Sequence, residues 1–205
     1  MNAYIKLGKA NLYNKKFDQA NLYFDKAIEL DYKNPEPYFY KGETEFYQGN
    51  LEPALVYYKE AYTLPEGKKD FVIRRIAELS SYVKDLETSK QKYEELSQRY
   101  PQYKVDSLIG IARAYLYTGS LYKSKDYNER VLEIEPKNKE ALLGIAKIHN
   151  DLNQMLSAIK ILEPLVIEHP QDNEAKETLA RSYTRLGRKD KAVKLLGKKY
   201  LESVK

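Results

Sequence analysis

His149 and His169 are the only two imidazoles in the chain, and they stand 20 residues apart. There is no cysteine, which removes thiol nucleophiles, thiolate metal sites and disulfides together. His169 lies in "EHPQD" at an expected helix end, where it can serve the last carbonyls. His149 falls within a helical stretch, and a histidine packed between helices is a plainer reading there than a base or a metal ligand. Glu94 and Glu95 are neighbours in sequence, so on a helix they point in different directions and form no acid–base pair. The loop "LPEGKKD" has one glycine and two lysines, which reads as a solvated turn rather than a phosphate cradle. No GxxxxGK[ST] loop, GxSxG elbow or HExxH helix occurs. These residues predict no enzyme, no metal and no cofactor.

The elements that would position any other chemistry are helical. Of 205 residues, 42% are apolar and 32% charged, the balance of a folded, helix-rich chain rather than a disordered one. No window approaches the roughly 18 apolar residues of a membrane span. The opening "MNAYIKLGKANLYNKKF" has neither a continuous apolar stretch nor a small-residue cleavage site. The expected setting is therefore cytoplasmic with no membrane insertion, although a chain trimmed of a leader or an anchor would read the same way. The net charge of +5 is local: residues 173–205 hold ten Lys and Arg against four Asp and Glu, and the preceding residues sum to −1. Lys189, Lys191, Lys194, Lys198 and Lys199 surround one terminal helix instead of forming a stripe across several elements. That pattern reads as a solvated cap, and no nucleic-acid partner is expected.

One helix face is written repeatedly. Ala20 and Ala54 recur as Ser89, Ser124, Ala158 and Ala192, at successive gaps of 34, 35, 35, 34 and 34. Four residues beyond each stand Phe24, Tyr58, Tyr93, Asn128, Leu162 and Leu196, an i, i+4 helical spacing. A second helix precedes each, marked by Leu7-Gly8, Gly42, Ile76-Ala77, Ile111-Ala112, Ile145-Ala146 and Leu179-Ala180. Gly49, Gly119 and Gly187 fall at the turn between the two helices, where a left-handed residue is wanted. Pro101, Pro136 and Pro170 follow the second helix and stop it. Pro164 sits inside a second helix and is expected to kink it, at a cost of about 3 kcal/mol unless packing compensates.

With these motifs the chain resembles the tetratricopeptide repeat family over its whole length. The first repeat matches at Tyr4, Leu7, Gly8, Ala20, Phe24 and Ala27, and the sixth at Leu179, Ala180, Tyr183, Gly187 and Ala192. The frames are 1–34, 35–69, 70–103, 105–138, 139–172 and 173–205, forming one domain. The third departs most, with no glycine and with Ser80 at a tyrosine position. Lys189 and Lys199 stand where most of the other repeats are apolar, as in a terminal cap. The resemblance implies an all-α, right-handed solenoid of six helix-turn-helix hairpins.

It also implies a non-catalytic scaffold that binds a peptide segment or helix of another protein along a concave groove. The groove positions of the family fall on Ile5, Lys9, Leu12 and Tyr13 in the first repeat and on Phe39, Glu43, Phe46 and Tyr47 in the second. In the third they fall on Phe71, Arg74, Glu78 and Tyr82, and in the fourth on Ile109, Arg113, Leu116 and Tyr117. Tyr13, Tyr47, Tyr82 and Tyr117 share one repeat position, which Asp151 and Arg185 take in the last two. Each tyrosine is equally consistent with recognition and with packing against the next repeat. The family's carboxylate-clamping groove needs Lys and Asn where this chain has Ile5, Lys9 and Tyr40, so that ligand is not expected. The alternative reading is self-assembly into a homo-oligomer through the N-terminal edge, where Tyr4, Leu7 and Phe24 are expected to have fewer neighbours. A third is a domain of a larger enzyme or secretion assembly.

If the terminal helix is only a cap, reversing Lys191, Lys194 and Lys198 to Glu leaves partner binding nearly unchanged. A loss of about tenfold, with a flattened salt dependence and intact folding, would instead identify a nucleic-acid partner.

Overall fold

The computed structural model describes residues 1–65 and 69–197. Gly67 and Lys68 of the "LPEGKKD" loop, together with Lys198 and Lys199 of the basic terminus, lie outside the described residues. The chain divides into two compact units, 1–118 and 119–205. The first contains α1 (Asn2–Tyr13), α2 (Phe17–Leu30), α3 (Pro35–Gln48), α4 (Leu51–Thr63), α5 (Asp70–Tyr82), α6 (Leu86–Arg99), a 3-10 turn (Pro101–Tyr103) and α7 (Lys104–Tyr117). The second contains α8 (Leu121–Ile134), α9 (Lys139–Asp151), α10 (Met155–Glu168), α11 (Asn173–Arg185) and α12 (Lys189–Leu196). No strand occurs among the described residues. The fold class is all-α, built from helical hairpins.

The helix limits follow from local chemistry. Asn34, Asn138 and Asp172 accept from the backbone N–H of Glu36, Ala141 and Ala175, and so cap α3, α9 and α11. Pro35 occupies the first turn of α3, where a missing N–H costs nothing. Each first helix then ends on a residue with positive φ. Gly49, Gly119 and Gly187 take this place in the even repeats, and Lys15, Lys84 and Asn153 take it in the odd ones. The next residue's N–H reaches back to close the turn, as from Asn50 to Glu45 O at 2.9 Å and from Asp85 to Ser80 O at 2.8 Å. The third repeat therefore turns like its neighbours without a glycine, and Lys84 carries the left-handed strain of about 1 kcal/mol.

Burial explains the repeated face. Ala20, Phe24 and Ala27 on α2 are fully buried, as are Ala54, Tyr58 and Ala61 on α4. Ser89, Tyr93 and Leu96 are likewise buried on α6, and Ala158, Leu162 and Leu165 on α10. In the first four repeats the middle residue rests on a neighbour with no side chain. A Cβ on Gly8 would stand 2.4 Å from the Phe24 ring, and one on Gly42 would stand 2.6 Å from Tyr58. There the glycine lies in the same hairpin's first helix. Tyr93 instead rests on Gly110 of α7, and Asn128 rests on Gly144 of α9, each in the following repeat.

Pro164 lies within a single continuous α10, with fully buried Leu162 and buried Leu165 on either side. Packing thus offsets the lost hydrogen bond. His149 is not tucked between helices: it is half-buried, and its Nδ1 meets Gln154 Oε1 at 2.6 Å across the turn after α9. At His169 it is the backbone N–H that caps α10, bonding Leu165 O.

Changing Leu162 to Ala should cost about 2–5 kcal/mol in urea unfolding, through the cavity it leaves. Changing the exposed Lys191 to Ala should stay within about 0.5 kcal/mol of neutral.

Candidate functional site

In residues 1–118 the first helices α1, α3, α5 and α7 are joined side by side through their side chains. Between α1 and α3, Lys9 Nζ sits 4.4 Å from the centre of the Tyr40 ring and 3.5 Å from Glu36 Oε1. The Tyr40 hydrogen bond is the main cause that holds the Lys9 ammonium above its ordinary pKa. Between α3 and α5, Phe39 meets Phe71 edge-on with centroids 4.4 Å apart. Between α5 and α7, Arg74 donates to Asp106 at 3.2 Å, and the Tyr82 and Tyr117 rings lie 5.7 Å apart.

A buried polar link underlies the α3/α5 joint. Glu43 is 7% exposed. Arg75 donates to both of its oxygens, Nε to Oε1 at 2.7 Å and a terminal nitrogen to Oε2 at 2.9 Å. The Tyr58 hydroxyl donates to the same carboxylate at 2.5 Å, and Arg75 also donates to Glu78 at 3.0 Å. Burial first, then the Glu43 charge, pushes the Tyr58 phenol far above its ordinary range, so it stays a donor. Burial is the largest single influence on Arg75 and lowers its pKa, but the hydrogen bonds to Glu43 and the charges of Glu43 and Glu78 together outweigh it, and the net direction is up.

The structure sorts the expected groove residues by burial. Ile5, Leu12 and Ile109 are buried, so they support the core instead of facing a ligand. Glu43 is committed to Arg75 and Tyr58. Lys9, Phe39, Phe46, Arg74, Glu78, Arg113 and Leu116 are half-buried. The four tyrosines are the open members: Tyr13 is 69% exposed, Tyr47 56%, Tyr82 43% and Tyr117 41%. Burial, with the adjacent Tyr82, holds the Tyr117 phenol above its usual pKa.

Sequence reasoning missed Arg75, Asp70 and Tyr103. Tyr103 Oη donates to Asp70 Oδ2 at 2.9 Å, and the Arg74 guanidinium lies 4.6 Å from the Tyr103 ring centre. None of the three falls on a periodic position, so no repeat pattern could mark them. Among the described residues, no cluster of His, Asp or Glu is placed to hold a metal ion, and no helix is long and apolar enough to cross a membrane.

This hairpin architecture is that of a repeat solenoid, and comparison with known proteins agrees. Three family profiles described as tetratricopeptide repeat match residues 5–69, 105–138 and 125–181. The chain belongs to the tetratricopeptide repeat family, whose members bind protein or peptide partners and are typically non-catalytic scaffolds. It is similar to the protein CTR9 homolog of Arabidopsis thaliana, at 25% identity over 162 residues, 77% of this chain and 15% of that protein. The chain thus spans about 15% of that relative's length. Among solved structures, a tetratricopeptide repeat protein from Parabacteroides merdae aligns with a TM-score of 0.78 and 20% identity, covering 98% of this chain and 79% of that one. YrrB, described as a TPR protein with an unusual peptide-binding site, aligns at 0.64 and 13% identity, covering 84% and 88%. Both structural likenesses are likenesses of fold.

Arg75→Met should destabilise the protein by roughly 3 kcal/mol, because it strands Glu43 as a buried, half-paired charge. Replacing Glu43 and Arg75 together by Leu and Met should recover most of that loss in urea denaturation. If the two single losses add in the double variant, the residues are not coupled.

Proposed function

We propose that residues 1–118 bind an extended segment or an amphipathic helix of another protein along the face made by α1, α3, α5 and α7. One observation carries this reading: each of these four helices presents a tyrosine at the same repeat position, and each tyrosine is more than 40% exposed. Tyrosine supplies large contact area at low entropy cost and one hydrogen bond, which suits recognition. The second helices offer a weaker rival. Leu22 and Val56 share one exposed position, but the equivalents in the third and fourth repeats are Gln91 and Asp126, so that stripe ends after two repeats. YrrB's described peptide-binding site supports the same use of the fold. On this reading the protein is a scaffold with no catalytic centre, cofactor or nucleic-acid ligand, and it works in the cytoplasm.

A second reading, self-association through the edge of α1, draws on Leu7. It is 45% exposed, whereas Ile76, Ile111 and Leu179 at the same repeat position are 1%, 2% and 3% exposed. Another segment or a second copy would cover it equally well. Phe24 does not belong to that edge, because Gly8 and Tyr40 bury it completely. A concentration-independent monomer in light scattering would remove this second reading.

The first reading is tested by changing Tyr47, Tyr82 and Tyr117 together to Ala. Affinity for a captured protein partner should fall by several kcal/mol in sum, though not additively, with helical content retained. A variant that loses helicity and melts early would make the tyrosines packing residues. A Leu22/Val56→Ser variant that abolishes binding would move the site to the second helices.

A further inference from the structure

On the face made by α1, α3, α5 and α7, the charged groups that join the helices are already spent within the protein. Lys9 pairs with Glu36, Arg74 with Asp106, and Arg75 with Glu43 and Glu78. The same cations cover rings: Lys9 lies over Tyr40, Arg74 over Tyr103 and Arg75 over Phe46. The hydroxyls of Tyr58, Tyr62 and Tyr103 are likewise engaged, each by a carboxylate. Tyr13, Tyr47, Tyr82 and Tyr117 stand apart. Among the described residues, none of these four hydroxyls bonds another group of the protein, no cation lies over their rings, and all four side chains are exposed. What this face leaves open is therefore uncharged: aromatic area and a set of phenol donors.

A ligand matched to such a face is apolar and brings hydrogen-bond acceptors without unmet donors. An α-helix does not meet that description, because its carbonyls accept within the helix and the phenols would be covered unpaired. A β-strand does not meet it either. Its N–H groups need acceptors, and the backbone carbonyls along α1, α3, α5 and α7 are spent inside those helices. A polyproline II segment fits on both counts: it has no internal hydrogen bonds, its carbonyls stay open, and each proline removes one N–H. The spacing agrees. Tyr82 and Tyr117 hold the same repeat position on α5 and α7, and their rings lean to within 5.7 Å with planes inclined by 50°. Equivalent positions of these two helices thus face one another, and packed helices lie about 8–10 Å apart. Three residues of polyproline II rise about 9.3 Å, so every third residue of such a segment reaches the next first helix.

We propose that the segment bound on this face is proline-rich and in the polyproline II conformation, with prolines at three-residue intervals on Tyr47, Tyr82 and Tyr117 and with carbonyls that accept from their hydroxyls. The proposal rests on the reading that this face binds a peptide, and it chooses the extended occupant over the amphipathic helix. A preformed polyproline II segment has little entropy left to lose, so uncharged rings can hold it without an ion pair.

The test selects a displayed library of short linear peptides on the full chain and measures the enriched sequences by fluorescence anisotropy. The expected result is prolines recurring three residues apart. Changing two of them to Ala should weaken binding by about tenfold. Tyr82→Phe with Tyr117→Phe keeps the rings and removes only the hydroxyls. It should also weaken the proline peptides by about tenfold, with circular dichroism and melting temperature unchanged. Proline peptides that bind this variant as tightly as the unchanged protein would overturn the hydroxyl pairing on which the choice of ligand rests. Enriched peptides that need Tyr47, Tyr82 and Tyr117 but carry apolar residues at helical spacing, or show no proline preference, would overturn the proposal and leave the peptide-binding face standing. Peptides indifferent to the three tyrosines, or no enrichment above background, would overturn both.

Discussion

Three times in the first 118 residues an α-carbon without a side chain lies directly under an aromatic ring. Gly8 lies under Phe24, Gly42 under Tyr58 and Gly110 under Tyr93. Helices cross that closely where one of them lacks a Cβ; at Gly8 and Gly42 this sets the crossing within a hairpin, and at Gly110 it sets how one hairpin sits on the next. The rings are also packed by the following repeat, Phe24 against Tyr40 and Tyr58 in one cluster with Val72 and Ile76, so stability is shared between neighbours. The link to the first-helix face runs through Tyr58. Its ring fills the crossing while its hydroxyl reaches Glu43, which in turn fixes Arg75. A core contact on the second helix thereby orients a charged group beneath the first-helix face.

The joints between successive first helices differ in strength, and the differences fall in useful places. The α3/α5 joint combines a buried bidentate ion pair with an edge-on aromatic contact. Breaking that ion pair would leave a buried charge, so this joint resists opening. The α1/α3 and α5/α7 joints rely on half-buried or exposed ion pairs and ring contacts, each worth a fraction to about 1 kcal/mol. On the proposed binding face, Lys9 and Arg74 could then be rearranged at small cost while the middle of the face stays rigid. Rigid aromatic anchors beside replaceable charges are an efficient arrangement for peptide recognition.

The architecture was legible because close crossings impose small residues at fixed intervals, and Ala20, Ala54, Ala158 and Ala192 show this directly. The turns were less legible. Lys15, Lys84 and Asn153 adopt the left-handed conformation because the paired backbone hydrogen bonds of the turn demand it, whatever the side chain. The groove was only half legible. A repeat position fixes the direction in which a residue leaves its helix, but the neighbour's size decides whether it is covered. Ile5, Leu12 and Ile109 point along the expected face and are nonetheless buried, whereas Tyr13, Tyr47, Tyr82 and Tyr117 outreach their surroundings. Glu43 gave no sign of being taken, since its partner Arg75 stands 32 residues away at a position with no periodic counterpart. The Asp70–Tyr103 and Arg74–Asp106 contacts are likewise products of packing between repeats.

The most direct measurement of whether the first-helix face is the binding surface is site-specific photo-cross-linking in the source cell. A benzophenone amino acid would be placed singly at Tyr47, Tyr82, Tyr117, Leu22 and Val56. The account predicts that the same partner protein is trapped from the three tyrosine positions and not from Leu22 or Val56. A partner trapped from Leu22 and Val56, with none from the tyrosine row, would contradict it.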